Sequence, residues 1–165
     1  MNNDFKILMV DDDVAYAKMI KRTLMSGEEL EPYWNRIKRS FDVEEFELKI
    51  VKRNNLEDFK KREINFLHVE EPEKSLDIFD DYKPNAVLID YHMPQMNGMS
   101  LFREIQKKKD QLSGEQPKLI MLSSNEDGDL VLDMAKNGIQ YYVEKGDNEI
   151  ESILSIIATG YFFEA

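Results

Sequence analysis

The chain has 165 residues, a formal net charge of −11 and no cysteine. The length predicts one domain over residues 1–165, the acidic balance argues against nucleic acid as a partner, and the missing cysteine excludes disulfides and thiolate metal sites. Because no stretch reaches the about 18 apolar residues of a membrane span and the first residues lack a basic signal region, we expect a cytoplasmic protein with no membrane partner.

The chain opens with an apolar run over residues 5–10, which is typical of a strand buried on both faces of a parallel sheet. The acidic run Asp11, Asp12 and Asp13 follows it, and either of the last two can cap a helix that ends at Gly27. From residue 64 onward strands and helices alternate, which predicts a doubly wound α/β fold. The predicted strands are 64–69, 85–90, 118–123 and 140–145, and the predicted helices begin at Pro72 and Gly98 or span 128–137 and about 148–159.

Residues 28–63 do not follow this alternation. Four apolar residues at helical spacing predict a helix that begins near Pro32. They are Leu30, Trp34, Ile37 and Phe41. Residues 46–50 alternate between apolar and charged side chains, which favours an added strand over 46–52 at the edge of the sheet.

The same region is locally basic, with nine bases and six acids between residues 36 and 62. The bases are Arg36, Lys38, Arg39, Lys49, Lys52, Arg53, Lys60, Lys61 and Arg62. A solvated surface of ion pairs is the favoured interpretation. The alternative is a docking surface for an acidic partner or for a second copy of the chain.

Three predicted strands end in residues that can carry chemistry. Asp11 and Asp12 follow the first strand, Asp90 ends the strand 85–90, and Lys145 ends the last one. Parallel strands with right-handed crossovers place their carboxyl ends on one edge of the sheet, so we expect these side chains to converge. Carboxylates at close range repel unless a cation joins them, and hard oxygen ligands suit Mg²⁺.

An aspartate in such a site can attack phosphorus and form an aspartyl phosphate. Asp90 is the candidate nucleophile, Lys145 can balance charge on a phosphoryl oxygen, and the Ser123 hydroxyl can donate a hydrogen bond to another oxygen. The pattern therefore predicts phosphoryl-transfer chemistry with Mg²⁺ as the cofactor.

The motifs around these residues resemble those of response-regulator receiver domains of two-component signalling. They are KILMVDD (6–12), VLID (87–90) with MPQMNG (93–98), LSS (122–124) and YVEK (142–145). The resemblance covers roughly residues 5–27 and 64–160. It implies a flavodoxin-like five-stranded parallel sheet in the order 2-1-3-4-5, with a helix/strand segment inserted at 28–63 between the first helix and the second strand.

The resemblance also implies a phosphoacceptor role for Asp90, with a histidine kinase or a phosphotransfer protein as the donor. Asp12 and Asp90 would bind Mg²⁺ directly and Asp11 largely through water. The backbone carbonyl of His92 would complete the set of metal ligands.

The same resemblance implies a switch. Ser123 would move toward the phosphoryl group, Lys145 would contact it, and Tyr142 would change rotamer. The surface of residues 128–160 would then meet a downstream protein. Since about five residues follow the last predicted helix, we expect output through protein contact, and association with a second copy stays open.

Some positions depart from the family's pattern or tune it. Gly146 stands where the family usually has proline after the lysine, which puts the family's cis peptide bond in question. The resemblance also implies that His92 and Asn125 occupy the two positions that tune the lifetime of the phosphoryl group in this family.

Two other classes of function are open to the sequence. A haloacid-dehalogenase-like phosphatase would use Asp11 as nucleophile and Asp13 as general acid, but the paired acids that such enzymes need on a later strand are missing, and Asp90 and the loop 93–98 would stay unexplained. A degenerate receiver that acts as an unphosphorylated scaffold is disfavoured, because the acids, Ser123 and Lys145 are all present.

Overall fold

Five parallel strands form one sheet in the order β2-β1-β3-β4-β5, as predicted. The computed structural model describes residues 3–124 and 128–163. The strands are β1 (Asp4–Val10), β2 (Glu63–Val69), β3 (Ala86–Asp90), β4 (Lys118–Ser123) and β5 (Tyr141–Glu144). β3 is buried along its whole length, which explains its uninterrupted apolar run.

Helices cover both faces of this sheet. In the described part of the chain they are α1 (Val14–Leu24), α2 (Glu31–Ser40), α3 (Phe46–Phe59), α4 (Pro72–Tyr82), α5 (Gly98–Asp110), α6 (Gly128–Lys136) and α7 (Glu149–Thr159). Short 3₁₀ helices, Gly27–Leu30 and Phe41–Val43, flank α2. None of the helices described is long and apolar enough to cross a membrane.

Alternation along β1 sends its side chains to two separate cores. Ile7 and Met9 pack on the face covered by α1, α2, α3 and α7. Leu8 and Val10 pack on the face covered by α4, α5 and α6. The inward stripe of α1 is formed by Ala17, Ile20 and Leu24, which are buried.

The predicted strand over 46–52 is wrong, because this stretch lies in α3. The residues of α3 that are buried are Lys52, Leu56 and Phe59, which recur at helical spacing. Phe46 and Ile50, which the alternation assigned to a strand face, are exposed. Burial of this helical stripe favours a helix over the strand that the short alternating run predicted. The regular elements of the described residues 28–62 are therefore all helices.

The inserted helices thicken the layer on the α1 and α7 side of the sheet. The ring of Phe59 in α3 contacts the rings of Phe5 in β1 and Trp34 in α2, at centroid distances of 4.9 and 5.9 Å. Trp34 and Ile37 are buried as predicted. Arg36 of α2 pairs with the buried Glu151 of α7. The insertion is therefore part of the main core.

Most bases of the inserted segment are ion-paired, as the favoured interpretation held. Lys38 pairs with Glu57, and Lys60 with Glu31. The nearly buried Lys52 pairs with Glu44, and its ammonium lies over the ring of Tyr161.

Candidate functional site

Asp90 lies at the carboxyl end of β3, the central strand of the sheet. It pairs in register with Leu122 of β4, and the next backbone N–H, of Tyr91, donates to the Leu122 carbonyl at 2.8 Å. Asp90 is 5% exposed. The strand therefore holds a carboxylate at the sheet edge with little freedom to move.

The acidic run after β1 lies beside Asp90. Asp11 is fully buried, and its Oδ1 accepts the Asp13 backbone N–H at 2.8 Å. The Asp13 side chain in turn accepts the Tyr16 N–H at 3.0 Å, which makes Asp13 the cap of α1. Asp12 is exposed. The three acids thus have different roles: one is buried, one faces solvent and one caps a helix.

The side chains of Asp11, Asp12 and Asp90 form a cluster in which one carboxylate oxygen of each lies within 4.8 Å of the others. Two oxygens on opposite sides of a Mg²⁺ ion are about 4.2 Å apart, since each lies at about 2.1 Å from the metal. The cluster therefore fits a hard divalent cation after small side-chain movements, or with one carboxylate bound through water.

Lys145 joins two of these acids. Its Nζ lies 2.9 Å from Asp11 Oδ2 and 3.0 Å from Asp90 Oδ1. Burial disfavours the charged lysine, but the hydrogen bonds and charges of Asp11 and Asp90 outweigh it, so the pKa of Lys145 is raised. Lys145 is therefore a cation throughout the neutral range.

The pKa of Asp90 is also raised. Burial is the largest cause, and the charges of Asp11 and Asp12 add to it, whereas the hydrogen bond from Lys145 opposes it. Three carboxylates and one ammonium leave the cluster with excess negative charge. A bound divalent cation would compensate that charge.

The remaining predicted residues lie around this cluster to different extents. Ser123 ends β4 and is fully buried, and its carbonyl accepts the Lys145 N–H at 2.9 Å. Tyr142 is half-buried and packs on the α4–α6 side of the sheet. His92 is exposed, with its ring against Tyr91. Asn125 lies outside the described residues.

The loop after Lys145 differs from the family's pattern in a way that the backbone explains. The peptide bond between Lys145 and Gly146 is trans, as are all peptide bonds of the described residues. Gly146 has φ +154°, which proline, held near −65°, cannot adopt.

Gly98 closes the loop between β3 and α5 by a close backbone approach. A Cβ at this position would lie 2.7 Å from the Tyr91 Cα and would collide with the Asp90 carbonyl oxygen. The Gly98 N–H donates to the Tyr91 carbonyl at 2.9 Å. Only glycine therefore allows α5 to begin this close to the end of β3.

We expect Gly98→Ala to lower the free energy of unfolding by about 1–3 kcal/mol, because the backbone of residues 90–91 must shift. Urea denaturation followed by circular dichroism measures it. Gly128→Ala is the matched control, since nothing lies within 4 Å of the Cβ it adds. Equal stability of the two variants would contradict the close-approach argument.

Sequence reasoning missed two residues that surround Lys145. The Tyr16 hydroxyl donates to Glu149 Oε2 at 2.5 Å, and the same oxygen accepts the Gly146 N–H at 3.2 Å. Lys145 Nζ lies 4.3 Å from the centroid of the Tyr16 ring. Burial, then the hydrogen bond and charge of Glu149, raise the pKa of Tyr16, so it stays a donor.

Another missed residue supports the acidic run from the side of β2. Nε2 of His68 lies 2.7 Å from the Asp11 carbonyl oxygen, which makes the ring nitrogen a donor there. Nothing in the local sequence of Tyr16, Glu149 or His68 signals these contacts, because each joins distant parts of the chain.

We expect Tyr16→Phe to cost about 1–3 kcal/mol of unfolding free energy, because it removes a hydrogen bond to a carboxylate and keeps the ring. Tyr33→Phe is the control, since the Tyr33 hydroxyl makes no hydrogen bond within residues 3–124 and 128–163. Chemical denaturation of both variants measures the difference. A loss no larger than that of the control would exclude a structural role for the Tyr16–Glu149 contact.

Comparison with known proteins places this site in context. The family model described as "Response regulator receiver domain" matches residues 48–157. This span includes Asp90, Ser123 and Lys145 and begins after Asp11 and Asp12. A search of curated protein sequences found no match.

Solved structures of receiver domains share the fold. The receiver domain of NarL from Mycobacterium tuberculosis has a TM-score of 0.62 at 15% identity, covering 96% of this chain and 98% of that one. CheY of Borrelia burgdorferi, solved with CheX, BeF3 and Mg²⁺, has a TM-score of 0.61 at 16% identity, covering 95% and 90%. The receiver domain of a DNA-binding response regulator from Colwellia psychrerythraea has a TM-score of 0.60 at 20% identity, covering 92% and 95%.

Proposed function

Because this chain belongs to the response regulator receiver domain family, we propose that it accepts a phosphoryl group on Asp90 in a two-component phosphorelay. The observation that carries the proposal is the contact of Lys145 Nζ with both Asp90 and Asp11 beside an exposed third acid. The donor would be a histidine kinase or a phosphotransfer protein. Its proposed location is the cytoplasm, where such donors act.

In the transfer step, an Asp90 carboxylate oxygen attacks phosphorus while the bond from phosphorus to the donor's imidazole nitrogen breaks. The electron pair of that bond returns to the imidazole. Lys145 keeps its contact with Asp11 and moves its other donor hydrogen from Asp90 to a phosphoryl oxygen. The Ser123 hydroxyl donates to a second phosphoryl oxygen.

Asp11, Asp12, Asp90 and the backbone carbonyl of His92 would hold Mg²⁺. When bound, the ion neutralises the phosphoryl charge that three carboxylates would otherwise repel.

Signalling would then pass to a downstream protein through the surface of residues 128–160, with Ser123 and Tyr142 as the switch. Val131 and Leu132 in α6 are 38% and 59% exposed, which supports protein contact there. The solved complex of Borrelia CheY with CheX is an example of a receiver that binds a protein.

The phosphatase alternative uses Asp13 as its general acid. In this chain the Asp13 side chain accepts the Tyr16 N–H as the cap of α1. Asp90, which clusters with Asp11 and Asp12, would have no role in that reaction. The receiver role therefore uses more of the described geometry.

Beryllofluoride with Mg²⁺ tests the proposal, because it mimics a phosphoryl group on a carboxylate. We expect backbone amide shifts in NMR spectra at residues 11–13, 90–92, 123–124 and 144–146, and also across 128–160, with size-exclusion chromatography reporting any dimer. The same reagents with Asp77→Asn, an exposed acid of α4, should give the same response. If neither the strand ends nor the 128–160 surface responds, the switch mechanism is excluded.

A further inference from the structure

A groove of about 640 Å³ lies between α2 and α3 of the inserted segment. Four bases and one acid line it: Arg36, Lys38, Arg39, Arg53 and Asp42. These side chains give the lining a charge of +3 in a chain of net charge −11. The groove is therefore a positively charged site in an acidic chain.

The bases of this groove differ in how firmly they are held. Arg36 forms an ion pair with the buried Glu151, so it is the most firmly held of these bases. Lys38 pairs at 3.3 Å with Glu57 across two half-exposed side chains. Such exposed pairs contribute little to stability, so a partner's carboxylate can replace the intramolecular one at small cost.

Two arginines are the most available donors. Arg53 shares the exposed carboxylate of Asp42 with Lys49, each at 2.9 Å. Arg39 is exposed, and no carboxylate of residues 3–124 or 128–163 pairs with it. The groove thus offers planar guanidinium groups that match carboxylate geometry.

Exposed apolar side chains lie on the face of α3 that also carries Arg53, one of the residues that line the groove. Phe46 and Ile50 are 77% and 42% exposed, and Val43 in the preceding turn is 85% exposed. On α3 the positions 46, 49, 50 and 53 fall on one face, so these apolar side chains lie among Lys49 and Arg53. Single exposed apolar residues are ordinary, but a set of them on one helix face beside an arginine held only by an exposed ion pair resembles the composition of protein interfaces.

We propose that this α2–α3 surface, formed by Arg39, Val43, Phe46, Ile50 and Arg53, docks an acidic segment of a partner protein that also carries apolar side chains. The arginines would receive carboxylates, and the apolar stripe would receive the segment's hydrophobic side chains. The surface is built from the inserted segment, so the inference is independent of phosphorylation at Asp90.

Charge and shape favour this occupant over two others. An anionic membrane would repel a chain of −11, and a bilayer is too flat to fill a groove. A second copy carries the same −11 and would be repelled as a whole. A short acidic segment can fit the groove, and it carries fewer charges that the rest of this chain repels than a membrane or a second copy does.

The test is binding of a fluorescein-labelled amphipathic peptide with glutamate on one face and leucine on the other, followed by anisotropy with the full chain. A twin peptide with glutamine for every glutamate is the ligand control. We expect the acidic peptide to bind at least about tenfold more tightly than its twin. We also expect its affinity to fall when salt rises from about 50 to 200 mM.

Variants assign the binding to the surface. Arg39→Glu combined with Arg53→Glu should weaken binding of the acidic peptide about tenfold or more. Phe46→Ser should weaken binding by a similar factor and should leave the fold intact, because Phe46 is already exposed. Lys107→Glu in α5 should change affinity less than about twofold, because Lys107 is exposed and its ion pair among the described residues is with Glu104, one turn away.

Four outcomes would overturn the proposal. They are no binding of the acidic peptide at about 1 mM, equal binding of the glutamine twin, binding unchanged by all three surface substitutions, and evidence that a membrane or a second copy occupies the surface instead. Sedimentation with phosphatidylserine–phosphatidylcholine vesicles, lost in Phe46→Ser, would assign the surface to a membrane. A concentration-dependent dimer lost in Phe46→Ser would assign it to a second copy.

Discussion

Asp90→Asn should abolish phosphoryl transfer to this chain and leave it folded. An amide is a poor nucleophile of nearly the same shape as the carboxylate, so we expect labelling by acetyl phosphate with Mg²⁺ to fall at least about 100-fold, or about 2.7 kcal/mol in the barrier. Intact-mass spectrometry measures the gain of one phosphoryl group. Borohydride reduction of the acyl phosphate then identifies the modified residue.

The same variant carries a prediction for stability. Burial and the charges of Asp11 and Asp12 raise the pKa of Asp90, so its ionised form opposes folding at neutral pH. Asp90→Asn should therefore raise the urea midpoint at pH 7 without added Mg²⁺. The gain should fade as pH falls toward the ordinary aspartate pKa, since wild-type Asp90 then binds its proton in the folded state.

Asp13→Asn is the matched control for the labelling. Asparagine caps helices as well as aspartate does, so α1 and the site geometry should be kept, with labelling close to wild type. A phosphatase mechanism makes the opposite prediction, because Asp13 is its general acid. Loss of labelling in Asp13→Asn with retention in Asp90→Asn would reject the receiver assignment.

Lys145→Met should be the most destabilising substitution at this site. It removes the only cation that contacts Asp11 and Asp90 among the described residues and leaves two nearly buried carboxylates facing each other. Breaking a buried pair in this way typically costs about 3–5 kcal/mol. Urea denaturation at pH 7 measures the loss, and labelling should also fall because no ammonium remains for the phosphoryl oxygens.

The loss in Lys145→Met should depend on pH with a defined sign. The hydrogen bond from Lys145 holds the raised pKa of Asp90 down, so its removal raises that pKa further. A carboxyl group with a raised folded-state pKa loses stability as pH increases through that value. The deficit of the variant should therefore be largest at neutral pH and shrink on acidification.

Lys74→Met provides the control for this substitution. Lys74 pairs with Glu71 on the surface, with both side chains more than half exposed, so its loss should cost no more than about 1 kcal/mol. Mg²⁺ should recover part of the stability of Lys145→Met, because it binds the folded carboxylate cluster and not the unfolded chain. Equal urea midpoints for the two variants would exclude a stabilising role for the Lys145 contacts.

The parallel sheet and the centre of the site follow from local patterns in the sequence, and the strand order follows from the resemblance to receiver domains. Short apolar runs with acids or a lysine at their ends predict parallel strands whose carboxyl ends meet, since a parallel sheet has all such ends on one edge. Asp11, Asp12, Asp90 and Lys145 come together accordingly. The functional roles of these four residues, and those of Ser123, Tyr142 and the His92 carbonyl, stay predictions.

The inserted segment was predictable only in part. The spacing of Trp34 and Ile37 predicts α2 because that helix buries one clear stripe. The strand over 46–52 failed because alternation over five residues fits an exposed helical turn as well as a strand. The contacts of Phe59 with Phe5 and Trp34 select the helix, and no local pattern contains them.

The sequence alone therefore determined the parallel sheet and the identity of the acids and the lysine, because both depend on periodicity and strand ends within short stretches, whereas the strand order followed from the resemblance to receiver domains. Tertiary structure alone decided the partners of those residues. Lys145 meets Asp11 across 134 positions, Tyr16 meets Glu149 across 133, and His68 meets the Asp11 carbonyl across 57. Contacts at such separations arise from how the strands pair and how the helices pack on the sheet, and local propensity does not specify the individual partners.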